Sequence, residues 1–258
     1  MLFSDRPRTI YPNAPAHEVI CQLRFPTILS INTVEPADFQ ETIRAFFPQY
    51  TRKQEVPRVP APGSTPPPQP ITNYYFISED KRSQVNLTRD FIALSTVNYT
   101  GWEEYARHLD RVLASFIQIY KPAYFQRVGL RYVNVFSRAK LGLEGTPWSE
   151  LFAPAYVAPL LEEDLSENQV LNYGCDLQLK LDSSCLAKIH AGPGMLKSKV
   201  PGAPQDPEVK FILDLDLSMG GNLPCTLAAG AMETLHGHGT RVFEGAITDR
   251  LRGAMQGL

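Results

Sequence analysis

The sequence lacks the short motifs that identify a reaction or a bound cofactor. It contains no glycine-rich phosphate loop, no dinucleotide-binding fingerprint and no nucleophile elbow, so those nucleotide-binding and hydrolase templates are unsupported. Only four of its 258 residues are cysteine. None of them forms a CxxC pair, and no histidine follows at zinc-finger spacing. We therefore expect neither a cofactor nor a structural metal from the motifs.

The chain also lacks an excess of charge of one sign and any long apolar run. Its net charge is only −2, so no overall basic field attracts nucleic acid or an anionic membrane. No stretch approaches the ~20 apolar residues of a membrane span, and residues 1–7 lack the apolar core of a secretory signal. The cysteines lie inside apolar runs, where a free cysteine behaves as a small buried hydrophobic residue. These features predict a cytoplasmic protein that does not enter a membrane.

The apolar residues that are present follow the period of β-strands over much of the chain. Hydrophobic residues make up 43% of the sequence, enough for a sizeable core. Alternating apolar and polar residues predict strands at 17–25, 73–77, 84–88, 91–97, 125–136, 171–181, 185–191 and 209–219. The pattern predicts an α+β fold, in which antiparallel sheet is packed with helices.

Other segments carry the three- and four-residue spacing of helices. This spacing predicts helices at 35–47, 101–120 and 226–255, and a short helical piece at 147–152. Phe46 is predicted to complete the buried stripe of the first helix, and Thr100 with Glu103 is predicted to form a capping box on the second. The segment 236–239, with sequence His-Gly-His-Gly, is predicted to interrupt the last helix with a turn. Its two histidines do not share a helix face, so they are not a zincin-type pair.

The first hairpin has a predicted register. A two-residue turn at 89–90 pairs Leu87 with Ile92 and Val85 with Leu94. All four apolar side chains then lie on one face of the sheet, which is the arrangement a core requires.

Two larger features concern the organisation of the chain. Residues 57–70 contain seven prolines and are predicted to be a surface insertion in a single domain spanning 1–258, or a docking peptide for a partner.

The predicted elements of 17–120 recur in 125–255 as strand, helix, three strands and helix. This order suggests two duplicated βαβββα units whose strands form one curved sheet or an open barrel.

An arginine lies among apolar neighbours in the opening strand of each predicted half. Arg24 and Arg131 must each find a partner or face a cavity, because burial of a lone charge is costly. If the halves are symmetric, both guanidinium groups meet on a phosphate or carboxylate. Together with Asn134 and Glu18 they form the predicted ligand-binding set. The alternative is a structural ion pair for each arginine, for instance with Glu18 or Asp90.

A second candidate site combines carboxylates with a histidine. A three-residue turn at 182–184 places Asp176 opposite His190, and Asp214 and Asp216 occupy the polar side of a later strand. Such a cluster is able to bind a divalent cation or to raise the pKa of the histidine for acid–base chemistry. The alternative is a solvated sheet face with a cross-strand charge pair.

Several short segments together resemble a known group of proteins. They are 11–15 (Tyr-Pro-Asn-Ala-Pro), 18–26 (Glu-Val-Ile-Cys-Gln-Leu-Arg-Phe-Pro), 85–88 (Val-Asn-Leu-Thr), 129–134 (Gly-Leu-Arg-Tyr-Val-Asn), Tyr99 with Trp102, and Leu235-His236 followed by Phe243, Ile247-Thr248 and Leu251. With them the chain resembles a sporadically distributed, functionally uncharacterised family of prokaryotic proteins of about this length. The patchy distribution of that family implies mobile gene clusters, such as antiviral defence or accessory loci.

Three functional hypotheses follow from the sequence. The leading one is a non-catalytic binding protein that holds a small anionic ligand or a partner segment at Arg24 and Arg131. The second is an accessory or regulatory subunit that acts through protein contacts alone, docking through 57–70 or the loop 192–207. The third is a metal-dependent enzyme that uses the Asp176 and His190 cluster, which metal analysis of the protein would distinguish.

Overall fold

The fold is described by a computed structural model, which covers residues 2–55, 70–196 and 206–257. Its strands are β1 (Ala16–Arg24), β2 (Gln49–Glu55), β3 (Ile71–Ile77), β4 (Ser83–Leu87), β5 (Phe91–Thr96), β6 (Phe125–Phe136), β7 (Cys175–Lys180), β8 (Cys185–Gly194) and β9 (Lys210–Leu223). They form one antiparallel sheet in the order β2-β3-β4-β5-β1-β6-β9-β8-β7, and the sheet is not closed. The predicted α+β class is confirmed. The proline-rich segment 57–70 lies outside the described residues except for its last proline.

Helices pack on this sheet. They are α1 (Ser30–Thr33), α2 (Ala37–Ile43), α3 (Trp102–Tyr120), α4 (Arg138–Leu141), α5 (Trp148–Leu151), α6 (Pro154–Val157), α7 (Ala228–Ala246) and α8 (Asp249–Gln256). Short 3-10 helices lie at Ala158–Leu161, Glu167–Gln169 and Cys225–Leu227. Within the described ranges, none of the helices is long and apolar enough to span a bilayer.

The chain divides into two compact units. The first unit comprises Met1–Glu18, Arg131–Ser218 and Glu233–Leu258, and the second comprises Val19–Leu130 and Met219–Met232. Each unit has its own aromatic core: the rings of Phe152 and Phe211 stack with centroids 3.9 Å apart in the first, and those of Phe25 and Phe116 lie 4.7 Å apart in the second.

The order of strands in the sheet bears on the predicted duplication. In each predicted half the opening strand lies beside the last strand, β1 next to β5 and β6 next to β9. The first half contains one strand more than predicted, because Gln49–Glu55 pairs with β3 as β2. Single-domain organisation and true duplication both stay predictions.

The predicted register of the first hairpin is confirmed. Leu87 lies opposite Ile92, and Val85 lies opposite Leu94. All four side chains are buried. The buried side of these two strands therefore follows directly from the alternation of apolar residues along them.

The predicted helix 35–47 and the predicted strand 171–181 are both longer than the elements in the structure, so one apolar residue of each is wrongly placed. The helix α2 ends at Ile43, so Phe46 falls beyond it and is 41% exposed, while its neighbour Phe47 is buried. The strand β7 begins at Cys175, so Leu171 lies outside the sheet and is 99% exposed. Alternation continues past the end of a strand when the chain there is only extended, and the sequence does not mark the difference.

The predicted capping box on α3 is also wrong. The N-cap is Gly101, and no side chain caps the first turn. The hydroxyl of Thr100 donates instead to the carboxylate of Glu104. Glu103 and Glu104 both lie in the first turn, where negative charge interacts favourably with the helix dipole.

The helix α7 runs without a break through the segment that was predicted to interrupt it. A Cβ on Gly239 would lie 3.3 Å from the ring of Tyr132 and 3.4 Å from the side chain of Leu217, so the missing side chain lets the helix lie close to the sheet. This packing offsets the cost of ~1 kcal/mol for a glycine within a helix. The helix α7 ends only at Ala246. Thr248 then caps α8 by accepting a hydrogen bond from the amide of Leu251.

A buried charged network lies inside the first unit. Glu244 on α7 is almost fully buried, and one of its carboxylate oxygens accepts a hydrogen bond of 2.7 Å from the hydroxyl of Tyr11. The other oxygen accepts from Nε and Nη2 of Arg252 on α8, at 3.2 and 3.1 Å. The network joins the N-terminal segment to both C-terminal helices.

Replacing Tyr11 by phenylalanine is expected to reduce the loss of stability at alkaline pH. Burial, and then the hydrogen bond to Glu244, raise the pKa of Tyr11 from 10.0 to about 12. Folding therefore favours the protonated phenol, and this contribution is complete below pH 10 and is lost as the pH rises towards 12. Urea denaturation across this range should show a smaller fall in unfolding free energy for Tyr11→Phe, by up to about 2 kcal/mol. Equal slopes for both proteins would contradict the assignment.

Candidate functional site

A charged face lies on the solvent side of the sheet in the first unit. Alternation along four strands turns their polar side chains to this side, which carries an open depression of ≈ 580 Å³. The charged face is defined by the polar residues that line the depression: Arg131, Asp176, Gln178, Lys188, His190, Asp214 and Asp216.

Two ion pairs cross neighbouring strands on the charged face. Arg131 on β6 makes a bidentate contact with Asp214 on β9, in which Nε donates to Oδ1 at 2.8 Å and Nη2 donates to Oδ2. On the β7–β8 hairpin, Nδ1 of His190 lies 2.8 Å from Oδ1 of Asp176. The hairpin has the predicted register, with these two residues directly opposite each other.

Carboxylates outnumber cations on the charged face. Arg131 and Lys188 face the carboxylates of Asp176, Asp214 and Asp216. The hydrogen bonds that the guanidinium of Arg131 donates to Asp214 are the largest cause that raises the pKa of Arg131. The negative charges of Asp216 and of Glu18 act in the same direction. Arg131 is therefore surrounded by an excess of negative charge.

The second candidate site of the sequence is thus brought together on one face. Asp176, His190, Asp214 and Asp216 all line the same depression as Arg131. Among the described residues, however, no three of these four place their ligand atoms within 4.8 Å of one another. Their arrangement corresponds to the solvated face with a cross-strand pair that the sequence left open.

The residues of the predicted ligand-binding set lie in different surroundings. Arg131 forms an ion pair, which is the alternative that the sequence left open. Its partner is Asp214 and neither Glu18 nor Asp90, the two examples given for that alternative. Asn134 is buried, and its Nδ2 donates to the backbone carbonyl of Leu213 at 3.1 Å. This hydrogen bond links β6 to β9 within the sheet. Arg24 belongs to the second unit, is exposed, and donates from Nε to the side chain of Gln22 at 3.2 Å. The convergence of the two arginines stays a prediction.

A second cavity lies in the second unit, and the sequence did not reveal it. This α3 cavity has a volume of ≈ 230 Å³ and is formed where the β3–β4 turn meets the start of α3. Its lining includes the aromatic side chains of Tyr99 and Tyr105 and the carboxylates of Asp80 and Glu104. These carboxylates already accept hydrogen bonds, from Ser78 and Thr100 respectively, and no spacing in the sequence links the two segments.

A further cluster was missed entirely. At the turn between β7 and β8, Oδ2 of Asp182 lies 2.9 Å from Nε2 of His238 on α7. The thiol of Cys185 completes a group whose ligand atoms all lie within 4.8 Å of one another. Asp182 and Cys185 are close in sequence, but His238 follows about fifty residues later, within the glycine-rich segment of α7.

Comparisons with protein-family models, with curated proteins and with solved structures found no match to this chain. The resemblance to a sporadic prokaryotic family therefore stays a prediction.

Proposed function

We propose that the chain is a non-catalytic binding protein, an accessory component whose charged face holds an extended partner segment that carries a basic side chain. The observation that supports this proposal is the excess of carboxylates around Arg131 and Asp214. A lysine or arginine brought to this face meets more negative than positive charge, and complementary charges favour encounter and register.

The shape of the charged face favours a segment over a small molecule. Small-molecule sites are usually enclosed and mostly apolar. Here the side chains of Asp176 and His190 are 81% and 51% exposed, and the depression is open to solvent. A peptide laid across several strands makes many weak contacts on such a surface, whereas a small ligand makes few.

The anionic-ligand form of the hypothesis requires Arg131 to leave its carboxylate. Two of the three guanidinium nitrogens already donate to Asp214. A phosphate or carboxylate ligand would have to replace that partner and would also meet Asp216. Repulsion from the remaining carboxylates opposes such an exchange, so the charge balance favours the basic partner.

Fluorescence anisotropy with labelled trilysine and triglutamate peptides tests the proposal. We expect trilysine to bind more tightly than triglutamate, and the affinity to fall as salt is added. Asp214→Asn removes one carboxylate and releases Arg131, so it should weaken trilysine by about tenfold and strengthen triglutamate.

The matched control is Asp164→Asn, which makes the same charge change at an exposed residue that does not line the depression. It should leave both affinities unchanged. Tighter binding of triglutamate by the unmodified protein would favour the anionic ligand instead. An equal effect of both substitutions would mean that only the net charge of the chain matters, and would contradict the proposal.

A further inference from the structure

We propose that Asp182, Cys185 and His238 form a binding site for a divalent transition-metal ion with the preferences of zinc. The proposal rests on geometry: one carboxylate oxygen, one thiol sulfur and one imidazole nitrogen, from a turn, a strand and a helix of the first unit, lie within 4.8 Å of one another. It concerns a place outside the charged face and does not depend on the proposed function.

The turn fixes the carboxylate before any metal arrives. Oδ1 of Asp182 accepts hydrogen bonds from the backbone amides of Ser184 and Cys185, at 2.7 and 2.8 Å, and from the Ser184 hydroxyl at 3.0 Å. The hydrogen bonds from the two backbone amides hold the pKa of Asp182 well below its usual range. The other oxygen, Oδ2, points to His238 and is the one available as a ligand.

The other two ligands lie on rigid elements. Cys185 opens β8 and is fully buried, so its sulfur has a fixed position beneath the turn. His238 lies within α7, and its side chain is 18% exposed. Asp182 is 38% exposed at its side chain, which leaves a path for an ion from solvent. A site built on a turn, a strand and a helix needs little ordering when it binds.

The oxygen and nitrogen ligands need only small shifts to accept the ion, and the sulfur of Cys185, which lies within 4.8 Å of both, needs to approach them by at most about 1 Å. Zinc bonds of about 2.0 Å to oxygen and nitrogen and about 2.3 Å to sulfur place neighbouring tetrahedral ligands roughly 3.3–3.6 Å apart. Oδ2 of Asp182 and Nε2 of His238 are now 2.9 Å apart and would separate by a few tenths of an ångström. The ion thus replaces the direct hydrogen bond between them.

The chemistry of the ligand set points to zinc rather than to magnesium or calcium. Thiolate and imidazole ligands select borderline and soft cations, whereas hard cations take oxygen ligands. When the sulfur of Cys185 coordinates, its proton leaves to solvent. The thiolate and the carboxylate then neutralise a divalent charge. Three protein ligands leave a fourth position for water or for a donor from another molecule.

The molecule contains its own matched control. His190 and Asp176 form a histidine–carboxylate pair of nearly the same length, 2.8 Å, in the same unit. That pair is exposed, and no third ligand joins it within 4.8 Å among the described residues. The pair of Asp182 and His238 differs from it by the nearby thiol of Cys185 and by its greater burial.

Cobalt substitution of the full-length chain is the test. The protein is stripped with EDTA and titrated with Co²⁺ while the absorption spectrum is recorded. We expect one equivalent to give a thiolate-to-cobalt charge-transfer band and tetrahedral visible bands, and one equivalent of Zn²⁺ to remove them. Cys185→Ser should abolish the charge-transfer band. Asp182→Asn, which keeps an oxygen for the turn amides, and His238→Gln should each weaken Co²⁺ binding by at least the roughly 10–100-fold that loss of a ligand's hydrogen-bond partner typically costs.

His190→Gln and Cys175→Ser serve as controls and should leave the titration unchanged, and circular dichroism checks that each variant is folded. The proposal is overturned if folded protein gives no charge-transfer band. It is equally overturned if the band survives Cys185→Ser or is lost with His190→Gln. None of these results bears on peptide binding by the charged face, so the two proposals fail or stand separately.

Discussion

Replacing Glu244 by alanine is expected to lower the free energy of unfolding by about 3–5 kcal/mol. The carboxylate is almost fully buried and holds the guanidinium of Arg252 through two hydrogen bonds. Its removal leaves a buried positive charge with one fewer counter-charge and also deprives the Tyr11 hydroxyl of its acceptor. Urea denaturation followed by circular dichroism measures the loss.

A double variant separates the free-energy cost of leaving Arg252 unpaired from the net contribution of the ion pair between Glu244 and Arg252 to stability. In Glu244→Leu with Arg252→Met both charges are replaced by apolar groups, so no unpaired charge stays buried. The double variant should therefore be more stable than Glu244→Leu alone by more than about 2 kcal/mol. If the double variant is the less stable of the two, Arg252 contributes mainly through other contacts, and the account of this network is wrong.

Phe211→Ala is expected to cost about 3–5 kcal/mol, because it opens a cavity in the core of the first unit. The ring of Phe211 is fully buried and stacks on Phe152 with centroids 3.9 Å apart, and it also contacts Trp148 at 5.5 Å. These aromatic neighbours are large and closely packed, so they have little freedom to collapse into the space. Urea denaturation again measures the change.

Phe46→Ala is the matched control, because it removes the same atoms at a partly exposed position. The guanidinium of Arg111 lies 4.0 Å from the ring centroid of Phe46, and the ring of His108 lies 6.2 Å from it. We expect a loss below about 1 kcal/mol. Losses of equal size at Phe46 and Phe211 would contradict the assignment of Phe211 to the core.

The sequence predicted most of the sheet because burial on one face imposes a period of two. The pairing of Leu87 with Ile92 and of Asp176 with His190 follows from that period and from the length of each turn. The strand Gln49–Glu55 was missed because its side chains are mostly exposed. Without a buried side, an edge strand carries no alternation of apolar residues.

Helix continuity and side-chain pairing were harder to predict, because both depend on residues distant in sequence. The glycines of α7 weaken the helix locally, yet Gly239 lets it pack closely against Tyr132. Likewise, nothing near Arg131 in sequence identifies Asp214 as its partner, since the two strands become neighbours only when the sheet forms. Tertiary packing decides such cases against local propensity.

The most direct test of the central claim is a map of the backbone amides that respond to a basic peptide. Amide proton and nitrogen chemical shifts are recorded for the labelled protein as trilysine is added. The account predicts that the largest changes fall on Arg131, Asp214 and their neighbours in β6, β7, β8 and β9. Changes concentrated around the α3 cavity, or no saturable change anywhere, would contradict it.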